Sequence, residues 1–206
     1  SQWLDSEVAL LIQEGFRRRD GKELLHITWQ RFCNALQRRV ERITRTDARP
    51  ISVDELNFIH GRLRYQKMVS RHDVELFWSN WFGPAFRLVR DPRKNMGVWT
   101  QGLISFMSKE RAEDILANET KGTFLIRFST SRPENFCVSV KCEGTLVEHL
   151  LIQHDQKRKV ADLLAHSAPN LERIMRIRVT SEDGTAAYVP YPKLYMLRNV
   201  TSGRSR

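Results

Sequence analysis

No apolar run in this sequence is long enough to span a bilayer, and its start lacks a secretory signal pattern. A membrane is therefore not an expected partner. Cysteine is scarce: Cys33, Cys137 and Cys142 are odd in number, widely spaced and unlike any zinc-binding pattern. This excludes a disulfide framework and fits reduced thiols inside a cell. There is no Gly-rich phosphate loop, no metal-ligand constellation and no nucleophile set beside a base. An enzyme is accordingly not expected, and neither is a cofactor or a metal. Cys137, the one thiol worth weighing for phosphate hydrolysis, falls in a strand rather than a loop. Internal repeats and low-complexity tracts are absent, apart from a polar tail over 201–206 that is expected to be disordered. The chain opens on Ser1 rather than Met, as expected of a piece of something longer.

What is present is positive charge. The net charge is +10 over 206 residues. Residues 1–100 hold 18 basic and 12 acidic side chains, and residues 101–206 hold 16 and 12, so the excess is spread over both halves. Clusters occur at Arg17-Arg18-Arg19, at Arg38-Arg39 with Arg42 and Arg45, and at Lys157-Arg158-Lys159. Such a balance favours anionic partners, whether phosphopeptide, nucleic acid or an acidic surface, although each cluster alone also reads as a solvated face.

The first hundred residues carry helical spacing. Stretches 6–19 and 22–43 are predicted helices, with Leu24, Leu25, Trp29, Phe32, Cys33 and Leu36 on one stripe of the second. A loop follows over 44–50. Ser52-Val-Asp-Glu55 has the form of a capping box and opens a helix to about Leu63. A further helix over 73–89 turns Phe77, Trp78, Trp81, Phe82 and Phe86 toward the core, kinked or divided by Gly83-Pro84.

Beyond Asp91-Pro92 the pattern changes. Ser108 caps a short helix running to about Leu116, and three strands follow over 124–129, 136–142 and 146–153. Glu143-Gly144-Thr145 suits the tight turn between the last two. A short helix is placed over 161–167. Residues 171–200 are ambiguous, with a helix and a short strand near 187–189. The fold class is α+β: a helical region, then a central antiparallel sheet flanked by two helices.

The most informative stretch is Gly122-Thr-Phe-Leu-Ile-Arg-Phe-Ser-Thr-Ser131. Strand alternation places Phe124, Ile126 and Phe128 on one face, and Leu125, Arg127 and Ser129 on the other. A lone strand arginine is often a solvated edge residue. Buried, it needs a partner, because an unpaired buried charge costs several kcal/mol. The neighbouring Ser129, Thr130, Ser131 and Arg132 supply donors rather than a carboxylate. Donors converging in this way call for an anion from outside, and a planar guanidinium grips phosphate through two parallel hydrogen bonds.

This strand, with the helix before it and the strands and helix after it, resembles a Src homology 2 (SH2) domain, the phosphotyrosine-binding module. Within that family it most resembles the signal transducers and activators of transcription (STATs). Trp99 followed by Gly102-Leu-Ile-Ser-Phe106 and Ser108-Lys-Glu-Arg111 is similar to the STAT entry into this domain. Phe77-Trp78 through Trp81-Phe82 resembles the end of the STAT helical linker, and Ser52-Val-Asp-Glu-Leu-Asn57 an earlier linker helix. The resemblance implies a linker domain over 1–97 and an SH2 domain over 98–200. It gives Arg127 the phosphate-gripping role, with Ser129, Thr130 and Ser131 as hydroxyl partners and Lys109 as the basic residue of the first helix. Thr130 stands where family members often carry glutamate. His149 matches the histidine beside the phosphotyrosine ring, which animal STATs generally lack, so a divergent, non-animal type is implied. Leu150 is the candidate for peptide specificity.

The implied partner is a tyrosine-phosphorylated peptide or protein. The implied role is a STAT-like transcription factor of cytoplasm and nucleus that dimerises through reciprocal phosphotyrosine binding. DNA contacts are expected of the intact protein rather than mainly of this fragment. Tyr188, Tyr191 and Tyr195 are expected to be structural. The alternatives are a phosphotyrosine adaptor that never touches DNA, and a basic nucleic-acid-binding domain.

Overall fold

Two helix–loop–strand–helix units, joined through a small antiparallel ribbon, make up the N-terminal half of the chain. The computed structural model describes residues 1–153, 158–167, 170–180 and 182–201. Lys157 of the third basic cluster, and the tail expected over 201–206 beyond its first residue, lie outside the described residues. In the first unit α1 (Gln2–Phe16) leads to β1 (His26–Thr28) and α2 (Trp29–Thr44). In the second, α3 (Val53–Arg62) leads to β2 (Met68–Ser70) and α4 (Arg71–Phe77). Ile27 faces Val69 across the ribbon. The last residue of each strand caps the helix that follows: Thr28 Oγ1 accepts from Arg31 N, and Ser70 Oγ from Asp73 N.

The helix predicted over 22–43 therefore begins seven residues late. Residues 22–28 form a turn and β1, and Leu25 is 73% exposed rather than part of the buried stripe. The capping box at Ser52 and Glu55 is present in both directions. The aromatic helix is divided, one turn before Gly83-Pro84. A π-helical turn covers Trp78–Phe82, in which Gly83 N–H donates to Trp78 O. The wider turn suits a following proline, which has no N–H to continue the α-helical ladder. Short α5 (Gly83–Phe86), a 3₁₀ turn (Arg87–Val89) and α6 (Met96–Thr100) lead into the second half.

There β3 (Ile104–Ser105) precedes α7 (Lys109–Leu116) and the strands β4 (Thr123–Phe128), β5 (Phe136–Lys141) and β6 (Val147–Ile152). After α8 (Val160–Ser167) come β7 (Arg173–Val179), β8 (Ala186–Pro192) and α9 (Lys193–Thr201). The sheet runs β6-β5-β4-β7-β8, with β3 also paired to β4. The consecutive strands β4, β5 and β6 pair antiparallel, while β3 and β7 join β4 in parallel. Strands β7 and β8 are full seven-residue partners, more than the single short strand expected near 187–189. Gly102 lets α6 meet β7: its φ is +71°, and a Cβ there would stand 2.2 Å from Ile177 O.

The two halves share one core. Phe106, on the segment after β3, stacks on Phe82 at 5.1 Å and on Phe128 at 4.1 Å. A buried ion pair crosses the same junction. Arg49 and Glu55 meet through Nη1–Oε1 at 2.8 Å and Nη2–Oε2 at 3.1 Å. Glu55 Oε2 also accepts from Phe106 N, Arg49 Nη2 donates to Ile104 O, and the guanidinium lies 3.9 Å over the Trp99 ring. The N-terminus of α3 is thereby tied to β3.

Candidate functional site

Strand β4 is buried at every position, and its alternation is the one the sequence predicts. Phe124, Ile126 and Phe128 enter the shared core, while Leu125 packs on the other face with Met107, Ala112 and Leu116 at α7. That second face holds Arg127. Only 5% of the residue is exposed, yet among the described residues it makes no ion pair. Its Nε donates to Ser139 Oγ at 3.2 Å. The terminal nitrogens Nη1 and Nη2 have no hydrogen-bond partner among the described residues. Neither is among the sealed, unpartnered buried atoms, so the fork opens toward the surface.

The bond at Nε belongs to a chain of three. Ser139 Oγ lies 2.7 Å from His149 Nδ1, and His149 Nε2 lies 3.0 Å from Glu113 Oε1 on α7. The register of β5 against β6 sets Ser139 opposite His149. The relay links strand, strand, strand and helix, and it holds the guanidinium by its inner nitrogen, the two outer ones having no partner among the described residues.

The structure thus brings Arg127 and His149 together, through a serine that sequence reasoning passed over. Its signal was legible in part: Phe136-Cys-Val-Ser-Val-Lys141 alternates, so Ser139 shares a face with Cys137 and Lys141, and the register against β4 makes that the face of Arg127. Glu113 was missed as well, although it sits one turn after Lys109 on α7. Lys109 itself is exposed at the first position of that helix.

After β4 the chain enters a loop closed by its own hydrogen bonds. Ser129, buried, accepts at Oγ from Arg132 N, and Asn135 N donates to Arg132 O. Ser129 Oγ keeps its hydroxyl proton for a further acceptor. Thr130 is half-buried and Ser131 exposed, and the backbone N–H groups of both have no partner among the described residues. Successive free N–H groups in a turn form a concavity suited to an anion. Leu150, 40% exposed, follows His149 and so points to the opposite side of the edge strand β6.

Tyr188 is structural, as expected. It packs beside Met175 and Leu125, and its phenol is pushed above the ordinary range, chiefly by burial. Tyr195 differs: it is 62% exposed on α9. Among the described residues no three His, Cys, Asp or Glu side chains gather as a metal site, and no helix is long and apolar enough to cross a membrane.

A helix, a three-stranded antiparallel meander, a second helix and a parallel return strand, with an arginine at the centre of the middle face, define an SH2 domain. Residues 103–177 match the SH2 domain family. Residues 1–91 match the family described as an EF-hand fold domain. Over 160 residues the chain is 33% identical to Signal transducer and activator of transcription A of Dictyostelium discoideum, covering 74% of this chain and 22% of that protein. To Signal transducer and activator of transcription B of the same organism it is 32% identical over 144 residues, 67% of this chain and 12% of that one. To Signal transducer and activator of transcription 1 of Caenorhabditis elegans it is 24% identical over 162 residues, 69% and 22% of the two chains. The chain is a divergent STAT-like SH2 segment. It spans about a fifth or less of the length of these relatives.

Proposed function

We propose that the site around Arg127 binds phosphotyrosine and that the chain works as the recognition segment of a STAT-like signal transducer. One observation carries the reading: a strand arginine, almost wholly buried, is held by Nε while both outer nitrogens have no partner among the described residues. That leaves the two parallel donors a phosphate dianion needs. In this reading Ser129, Thr130 and Ser131 complete the phosphate shell with their hydroxyls and loop N–H groups, and Lys109 flanks it from α7. His149 lies beside the tyrosine ring. The ring sets the phosphate several ångströms from the peptide backbone, so a deep arginine favours phosphotyrosine over the shorter phosphoserine. Leu150, on the far side of β6, meets the residues that follow the phosphotyrosine.

We divide the chain into a linker over 1–97 and an SH2 domain over 98–200. In the whole protein we assign a transcription-factor role in cytoplasm and nucleus, with dimerisation through reciprocal phosphotyrosine binding. Two such contacts in one symmetric dimer reinforce each other through effective concentration. DNA recognition would lie mainly outside this segment.

The test is titration with a tyrosine-phosphopeptide library, with phosphoserine and unphosphorylated controls. Binding at micromolar or lower concentration, selective for phosphotyrosine, is the expected result. Arg127→Ala should lose at least about a hundredfold in affinity, because removing one partner of a desolvated charge pair costs about 2–5 kcal/mol. Arg127→Lys should recover little, since an ammonium makes no bidentate fork. Near-normal binding by either variant would sink the assignment.

A further inference from the structure

The EF-hand fold match over residues 1–91 implies a calcium site, and the two loops of this chain do not fit one. The architecture does fit: two helix–loop–helix units pair through β1 and β2, and the exchange is reciprocal. Trp29 N donates to Lys67 O, and Arg71 N to Leu25 O. An EF-hand loop draws its oxygens from acidic side chains at alternate positions, with a glutamate closing the set. Here the first loop reads Arg17-Arg18-Arg19-Asp20-Gly21-Lys22-Glu23, four basic residues against two acidic ones. Both acids are engaged: Asp20 with Arg18 and the Lys22 N–H, Glu23 with Arg71. The second loop, Leu63-Arg64-Tyr65-Gln66-Lys67, has no acidic residue.

A side chain stands where the cation's work is needed. Arg31, in the first turn of α2, reaches back across the loop. Its Nε donates to Gly15 O at 2.7 Å and its Nη2 to Arg17 O at 2.6 Å. Those carbonyls close α1, where the backbone leaves unpaired oxygens and partial negative charge. Among the described residues the second loop is closed without a guanidinium. His60 Nε2 bonds Gln66 O at 2.8 Å, and Arg64 and Tyr65 take the left-handed conformation (φ +59° and +53°).

We propose that Arg31 does in this unit what a bound calcium ion does in an EF-hand. Its guanidinium gathers the carbonyl oxygens at the end of α1 and fixes α1 against α2, so the unit keeps one geometry at any calcium concentration. A diffusible cation has been replaced by a tethered one, and a sensor scaffold has become a brace.

The experiment uses the whole chain. Calcium chloride titrated from micromolar to millimolar against an EGTA control should leave the melting temperature, tryptophan fluorescence and heat of mixing unchanged. A saturable calcium response in that range would overturn the proposal. Hydrogen exchange is then followed at Arg18 and Gly21, bonded within the loop, and at Leu24, bonded to Phe16 O at the end of α1. Arg31→Ala should speed their exchange by about tenfold or more, with the amides of β4 and β5 unchanged as the folded control. Arg31→Lys keeps the charge but cannot span both carbonyls, and should fall between the two. If the alanine variant does not fold, the lysine variant decides. Loop exchange at the wild-type rate in a folded variant refutes the role of Arg31.

Discussion

Replacing Arg49 with methionine should remove much of the stability of this chain. Arg49 and Glu55 are 3% and 0% exposed, and they meet through a two-point fork. Methionine keeps most of the volume over Trp99 but supplies no donor. Glu55 would retain the Ser52 N–H and hydroxyl and the Phe106 N–H, with no countercharge in the interior. Breaking a buried pair from one side costs about 3–5 kcal/mol. Whole domains are stable by about 5–15 kcal/mol. The loss should appear in urea unfolding, followed by tryptophan fluorescence, as a midpoint lowered by about 1–2 M with little change in slope. Glu55→Gln should also destabilise, because it leaves Arg49 unpaired. The double variant Arg49→Met with Glu55→Gln should cost clearly less than the sum of the two. A single-variant cost below about 1 kcal/mol, or strict additivity, would refute the view that this pair holds the junction.

Three further outcomes follow from the site and the core. Ser139→Ala strips Arg127 Nε and His149 Nδ1 of their shared partner; it should cost about 1–3 kcal/mol in stability. Phosphopeptide affinity should fall with it, and the effect should be non-additive with His149→Ala in a double-mutant cycle; additive behaviour would dissolve the relay. A fragment of residues 98–206 alone would expose Phe106 where it stacks on Phe82, and should bind a hydrophobic dye or unfold in a calorimeter well below the whole chain. Cys33 is buried, and burial pushes its thiol up to about 12 from an ordinary 9.0. It therefore stays protonated in the folded chain while the unfolded thiol ionises. Its contribution to stability is full below about pH 9 and is lost as pH rises toward 12. Alkylation near pH 8 should label the half-exposed Cys142 first and spare Cys33 until the chain unfolds.

The strand carrying Arg127 was legible because its period of two is uninterrupted and both faces are buried. So was the capping box, whose two members are local. What escaped the sequence was set at a distance. Glu55 read as a helix cap, but its partner Arg49 sits beyond Pro50 in a loop with no period to fix it. The segment Arg-Ile-Met-Arg-Ile-Arg-Val179 mixes charge and apolar residues in a way that suits a helix as well as a strand. Only pairing with β4 and β8 decides for β7. Leu25 looked like core, yet the ribbon with β2 sets its register and turns it outward. In the site, the direct contacts of Arg127 depend on the lateral match of three strands, which no single segment encodes.

The SH2 fold is commonly treated as a portable piece, movable between proteins at its ends. Here the stack Phe82–Phe106–Phe128 and the Arg49–Glu55 pair run straight through the join. A recombination event at this join would part buried side chains instead of cutting a solvated tether. The two halves must then be inherited together, and substitutions on either side of the join constrain what the other side can accept.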